Sequence, residues 1–238
     1  DSAAIDSTAA ELMAREGVQG LAVALIDRGQ VVFVSAYGFR NVERRLPLTP
    51  ATVMYGASLT KAAVAYLVLQ YVDEGRLRLD DSLPALLPKP LPEYEDYKGL
   101  TDPRWRSLTP RMILNHTTGF ANFRWLEPDG ALRFHSDPGA RYGYSGEGFY
   151  ILQLILEEHL KVDVGAEMQR RVFDRFGLTR TGMQWRPDFA DNLADGYGTD
   201  GKMEPHDERS SVSAAGSMDT SIEDQALLWA GIVRGDGL

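Results

Sequence analysis

Apolar positions along the chain fall into a few runs whose spacing predicts the elements. Ile5, Ala9, Leu12 and Met13 recur at helical spacing, which predicts an amphipathic helix over 3–16, ended by Gly17 and Gly20. Residues 21–26 and 31–36 are β-rich, and Asp27-Arg28-Gly29-Gln30 between them is a hairpin signal. Val31, Val32, Phe33 and Val34 form a continuous apolar run, which suits a strand covered on both faces. From 62 to 72 only Tyr66, Gln70 and Tyr71 carry polar side-chain atoms. A helix apolar on nearly every side belongs inside a domain, and this one should end near Gly75.

The second half reads as shorter helices between loops. Pro84, Pro88, Pro90, Pro92, Pro103 and Pro110 exclude long regular elements from 79–110. Thr109-Pro110 is an N-cap with proline at the first helical position, opening a short helix through Leu114. Further helices are expected over about 148–159, 164–176 (stopped at Gly177) and from the Thr220-Ser221-Ile222-Glu223 cap to about Val233. The hairpin is the only stretch that reads as strand. No internal repeat or inter-domain linker is evident.

Composition narrows the function classes. The 238 residues are 44% hydrophobic and 25% charged, ordinary for a globular protein with a substantial core. A net charge of −9 with no basic stripe argues against nucleic-acid binding. No apolar run approaches the roughly 20 residues of a membrane-spanning helix. The absence of cysteine removes disulfides and thiolate chemistry. No metal pair is spaced along a helix among the four histidines, so no cofactor is expected. No leader peptide is evident and the first residue is Asp1, which fits a mature periplasmic or secreted protein, with the cytoplasm as alternative.

One pair of residues changes the picture. Ser58 stands where the apolar helix begins, and Lys61 lies three residues on, which puts both side chains on one face about a turn apart. Burial disfavours an ammonium, so a lysine in a dry place can take a serine proton. Backbone N–H groups at a helix start suit a developing oxyanion. The bland alternative is a serine N-cap followed by a solvated lysine. A solvated lysine rarely opens so apolar a helix.

Three stretches taken together resemble the serine β-lactamase and penicillin-binding-protein superfamily, and within it the class C β-lactamase, DD-peptidase and esterase branch. Gly56-Ala57-Ser58-Leu59-Thr60-Lys61 looks like its Ser-x-x-Lys motif. The run from Leu108 to Asn115-His116-Thr117-Thr118-Gly119 looks like its helix ending in His-Thr/Ser-Ser/Thr-Gly. Pro138-Gly139 through Tyr144-Ser145-Gly146 looks like the segment carrying its second motif, Tyr-x-Asn. The resemblance implies an α+β fold, an antiparallel sheet with flanking helices plus a helical lobe. It implies one domain over 1–238, with 1–50 as helix and hairpin of the α/β lobe. Residues 51–213 would form the mainly helical lobe, and 214–238 would begin the return. It also implies roles: Ser58 as nucleophile, Lys61 as its base and Tyr144 as second acid/base. His116 is expected to be structural.

Two departures qualify the match. Gly146 stands where the second motif has asparagine. The third motif, Lys/His-x-Gly on a late strand, is missing; Arg180-Thr181-Gly182 imitates it but reads as a turn. The resemblance therefore implies that sheet strands following Leu238 are absent from this chain, supplied in the natural protein by a longer polypeptide or a separate segment. Two readings stay open. One is a serine hydrolase acting on a small-molecule or peptidoglycan-like acyl donor (a β-lactam, a D-amino-acid peptide or a short ester). The other is a non-catalytic binding module or inactive fragment.

Overall fold

The computed structural model describes residues 2–238. In chain order the helices are α1 (Ser2–Glu16), α2 (Leu59–Asp73), α3 (Leu83–Leu86), α4 (Pro110–Leu114), α5 (Gly146–His159), α6 (Val164–Met168), α7 (Asp174–Phe176) and α8 (Ile222–Arg234). The strands are β1 (Gly20–Asp27), β2 (Gln30–Asn41), β3 (Leu46–Pro47), β4 (Met54–Tyr55), β5 (Gly196–Tyr197), β6 (Met203–Glu204) and β7 (Asp219–Thr220). Among the described residues no helix is long and apolar enough to cross a membrane.

The chain divides into two compact units. The first combines the residues up to Ala57 with Gln169–Ser211 and Ser217–Leu238; the second is Ser58–Met168 with Val212–Gly216.

In the first unit the hairpin forms as the pattern predicts. Arg28 and Gly29 both have positive φ, +48° and +75°. That is the two-residue turn whose twist matches antiparallel strands. β3 adds beside β2, giving the order β1-β2-β3. Two further ladders pair β4 with β7 and β5 with β6, so strand is more widespread than the sequence pattern indicates. These strands have two residues each, too short for alternation to register. The helices α1 and α8 pack on β1 and β2. Val31 and Val32 nevertheless stay exposed, at 37% and 60%. Neighbouring strand residues point to opposite faces, so neither face is closed at that end of β2, contrary to the expectation from the apolar run.

The Arg180-Thr181-Gly182 stretch also lies in this unit. Thr181 is fully buried, its hydroxyl donating to Asp224 at 2.7 Å, and Gly182 exchanges backbone hydrogen bonds with Asp219. It is a turn with a single bridge, as its sequence suggests.

The second unit is helical and is built around α2. Ala63, Val64, Leu67, Val68 and Tyr71 of α2 are at most 3% exposed, as are Ile151, Leu152, Ile155 and Leu156 of α5. Prolines keep 79–110 to α3 and short 3-10 turns. Thr109 caps α4 by accepting the Met112 N–H, with Pro110 at the first helical position. α6 ends the Ser58–Met168 segment of this unit, and the chain continues in the first unit as a π-turn over Gln169–Phe173 and then α7, so the predicted helix over 164–176 forms with an interruption. Such a turn inserts one residue into the helical repeat and leaves no mark in the apolar pattern.

Candidate active site

The turn entering α2 is unusual. Ala57 has φ of +44°, in the left-handed region that side-chain-bearing residues rarely adopt. Ser58 follows at the N-cap position, but its hydroxyl makes no capping bond to the helix backbone. Instead it accepts a hydrogen bond from Lys61 Nζ at 2.9 Å. Lys61 is 4% exposed. Both halves of the bland alternative, a capping serine and a solvated lysine, are absent.

Lys61 is held from several directions. Its Nζ also donates to the Ala215 carbonyl at 2.5 Å. The rings of Tyr144, Phe149 and Phe123 have centroids 5.1, 5.6 and 5.9 Å from Nζ. Aromatic faces attract an ammonium at such distances. The Ala215 carbonyl is itself positioned through the adjoining backbone, because Ala214 N–H donates to Gln153 Oε1 of α5 at 2.8 Å.

Tyr144 stands on the loop leading into α5, and two features fix that loop. Ser145 caps α5, its hydroxyl accepting the Gly148 N–H at 3.2 Å and donating to the Ala121 carbonyl at 2.9 Å. His116 ends α4 with φ of +57°, where its carbonyl accepts the Gly143 N–H and its Nδ1 accepts the Ser145 N–H at 3.1 Å. Its ring lies 4.4 Å from that of Tyr144. Burial, with the Lys61 charge adding to it, pushes the His116 pKa below the ordinary imidazole value, which keeps Nδ1 free to accept. The structural part expected of His116 is thus a specific one, support for the Tyr144 loop. Tyr144 is 38% exposed, and among the described residues no hydrogen bond joins it to Ser58 or Lys61. The fold therefore brings Ser58 and Lys61 into contact and places the Tyr144 ring beside the lysine.

Gly146 departs from the motif for a steric reason. A Cβ at this position would stand 2.3 Å from Phe123 Cε1 and 2.5 Å from Cζ. No asparagine fits while that ring is there. Phe123 is stacked on Trp125, with centroids 4.0 Å apart and planes 10° from parallel. Between them in sequence, Arg124 forms a fork onto the fully buried Glu147, with Nη2–Oε2 at 2.6 Å and Nε–Oε1 at 3.0 Å. Phe123, Ala215 and Gln153 carry no signal in the sequence that would have placed them at this site; each acts through tertiary contact.

The chain is similar to known proteins along most of its length. The family model described as Beta-lactamase matches residues 5–234. A D-aminopeptidase from Gluconobacter oxydans (strain 621H) is 27% identical over 186 residues, covering 75% of this chain and 35% of that protein. The octameric penicillin-binding protein homologue from Pyrococcus abyssi superposes with a TM-score of 0.79 at 23% identity, covering 99% of this chain and 57% of that one. The D-alanine carboxypeptidase AmpC from Burkholderia cenocepacia gives 0.76 at 23% identity, covering 93% and 61%. The chain thus spans about a third of that curated relative and about three-fifths of these solved structures. The two solved structures share its β-lactamase-like fold. With almost the whole chain matched, it belongs to the beta-lactamase family.

Proposed function

We propose that the chain carries the nucleophilic half of a serine hydrolase active site that forms an acyl-enzyme on Ser58. The observation that carries this reading is the 2.9 Å contact between Ser58 Oγ and the Nζ of a lysine only 4% exposed. The step requires Lys61 first to give up a proton of its own, so that Nζ can take the hydroxyl proton while Oγ bonds to the acyl carbon. The negative charge that develops on the acyl oxygen is met by the Ser58 backbone N–H at the start of α2. Collapse of the intermediate breaks the bond to the leaving group, which takes a proton from Tyr144 as the nearby acid. Water then attacks the ester carbon, giving a proton to the Tyr144 phenolate, and Ser58 Oγ leaves the acyl carbon with the proton held on Lys61.

The substrate is an acyl donor of the type a peptide, lactam or ester provides. Similarity to a protein named D-aminopeptidase supports a peptide whose acyl side is a D-amino acid. A non-catalytic binding module is the second reading, favoured by the absence of a hydrogen bond from Tyr144 to either Ser58 or Lys61. A fluorophosphonate probe separates the two. Peptide mass spectrometry should find the probe on Ser58, and Ser58→Ala should abolish labelling, at the cost in stability of one of the two oxygen acceptors of the buried Lys61. An unlabelled Ser58 under conditions that label a known serine hydrolase would exclude the catalytic reading.

A further inference from the structure

Resting on the hydrolase reading, we infer that Phe123 and Trp125 form the specificity wall of the Ser58 site and select acyl donors whose acyl group ends in a flat aromatic ring. Three observations converge on this. First, Phe123 occupies the space in which a side chain at position 146 would project, and its ring centroid is 5.9 Å from a lysine ammonium bonded to the serine. The group beside the lysine is therefore an aromatic ring where the related motif has an amide.

Second, the wall is rigid and extends outward. Phe123 lies nearly parallel to Trp125, with Tyr150 5.9 Å away, and the Arg124–Glu147 fork anchors the backbone between the stacked rings. Arg124 N–H also donates to Glu147 Oε1 at 2.8 Å, so the segment is tied by main chain as well as side chain. Third, Trp125 is 61% exposed and lines a cavity of about 470 Å³ shared with Tyr97, Tyr150, Arg124 and Gln153. A large aromatic left open beside a cavity, while its stacking partner is committed to the site, is a surface for a ligand ring.

A flat ring set on this stack gains edge or offset contacts that a saturated ring of the same size cannot make. The test compares p-nitrophenyl phenylacetate with p-nitrophenyl cyclohexylacetate, two esters alike in size and leaving group. The parent protein should favour the aromatic ester roughly three- to tenfold in kcat/KM, mostly through KM. Trp125→Ala, a change at an exposed side chain, should erase the preference, and Phe123→Ala should do the same. No preference in the parent, or a preference surviving in both variants, would overturn the inference.

A binding measurement keeps this inference separate from the hydrolase reading. In Ser58→Ala, calorimetry should find phenylacetamide bound more tightly than cyclohexylacetamide, and Trp125→Ala added to it should make the two equal. Equal affinities before that second change would refute the aromatic wall whether or not Ser58 turns over. Absent turnover and labelling in the parent, with the ring preference present in binding, would instead remove the hydrolase reading and leave the wall standing.

Discussion

Lys61 Nζ donates to the carbonyl of Ala215, 154 residues further along the chain, at 2.5 Å. Together with Ser58 Oγ this gives the cation two oxygen acceptors in a setting that is otherwise apolar and aromatic. These two oxygens, with the aromatic faces around Nζ, offset the cost of burying the lysine beside the serine.

Replacing it should therefore separate chemistry from stability. Lys61→Met keeps the length of the side chain and removes the base, so labelling of Ser58 by a fluorophosphonate should slow by at least about 100-fold. The melting temperature should hold or rise, because an apolar side chain of similar volume replaces a desolvated charge. Stopped or timed labelling followed by intact-mass analysis checks the first part, and thermal unfolding the second. Labelling at the parental rate would remove Lys61 from the mechanism.

His116 supplies a pH dependence. Its pKa is depressed in the folded protein, chiefly by burial and further by the Lys61 charge. The unfolded chain therefore takes up the proton first as pH falls. The contribution of His116 is complete above the ordinary imidazole value of about 6.5 and is lost as pH drops through the lower folded value. A protonated ring has no lone pair to accept the Ser145 N–H, so the same titration loosens the Tyr144 loop. Stability measured by urea unfolding should fall more steeply below pH 6.5 in the parent than in His116→Gln. Parallel profiles would show that His116 does not carry the effect.

The Arg124–Glu147 pair predicts an asymmetry. The Glu147 side chain is fully buried, whereas that of Arg124 is 26% exposed. Arg124→Leu leaves a buried carboxylate without its cation and should cost about 3–5 kcal/mol. Glu147→Leu leaves a guanidinium that can still reach water, and should cost less. Urea unfolding of the two variants decides the order, and equal losses would show that the orphaned charge is not what matters.

Much of the local structure was legible in the chain. The period of Ile5, Ala9, Leu12 and Met13 marked α1, and the turn Asp27-Arg28-Gly29-Gln30 placed the hairpin. Thr109 and Ser221 act as the caps that their sequence contexts indicate. The three-residue spacing of Ser58 and Lys61 on an apolar helix was enough to nominate the pair, because one helical turn fixes which side chains meet.

Tertiary structure decided everything that depends on distant partners. Whether Ser58 would cap its helix or turn to Lys61 was settled by burial of the lysine against Ala215, Phe123 and Phe149, none of which lies near it in sequence. The reason for glycine at 146 is the ring of Phe123, and the reason that His116 matters is the Ser145 N–H. The short strands β4 and β7 exist only because they pair across the chain, and the π-turn at Gln169–Phe173 follows no apolar rule. Periodicity records which face of an element is apolar; it carries no record of which other face will meet it, and at this site that meeting supplies the chemistry.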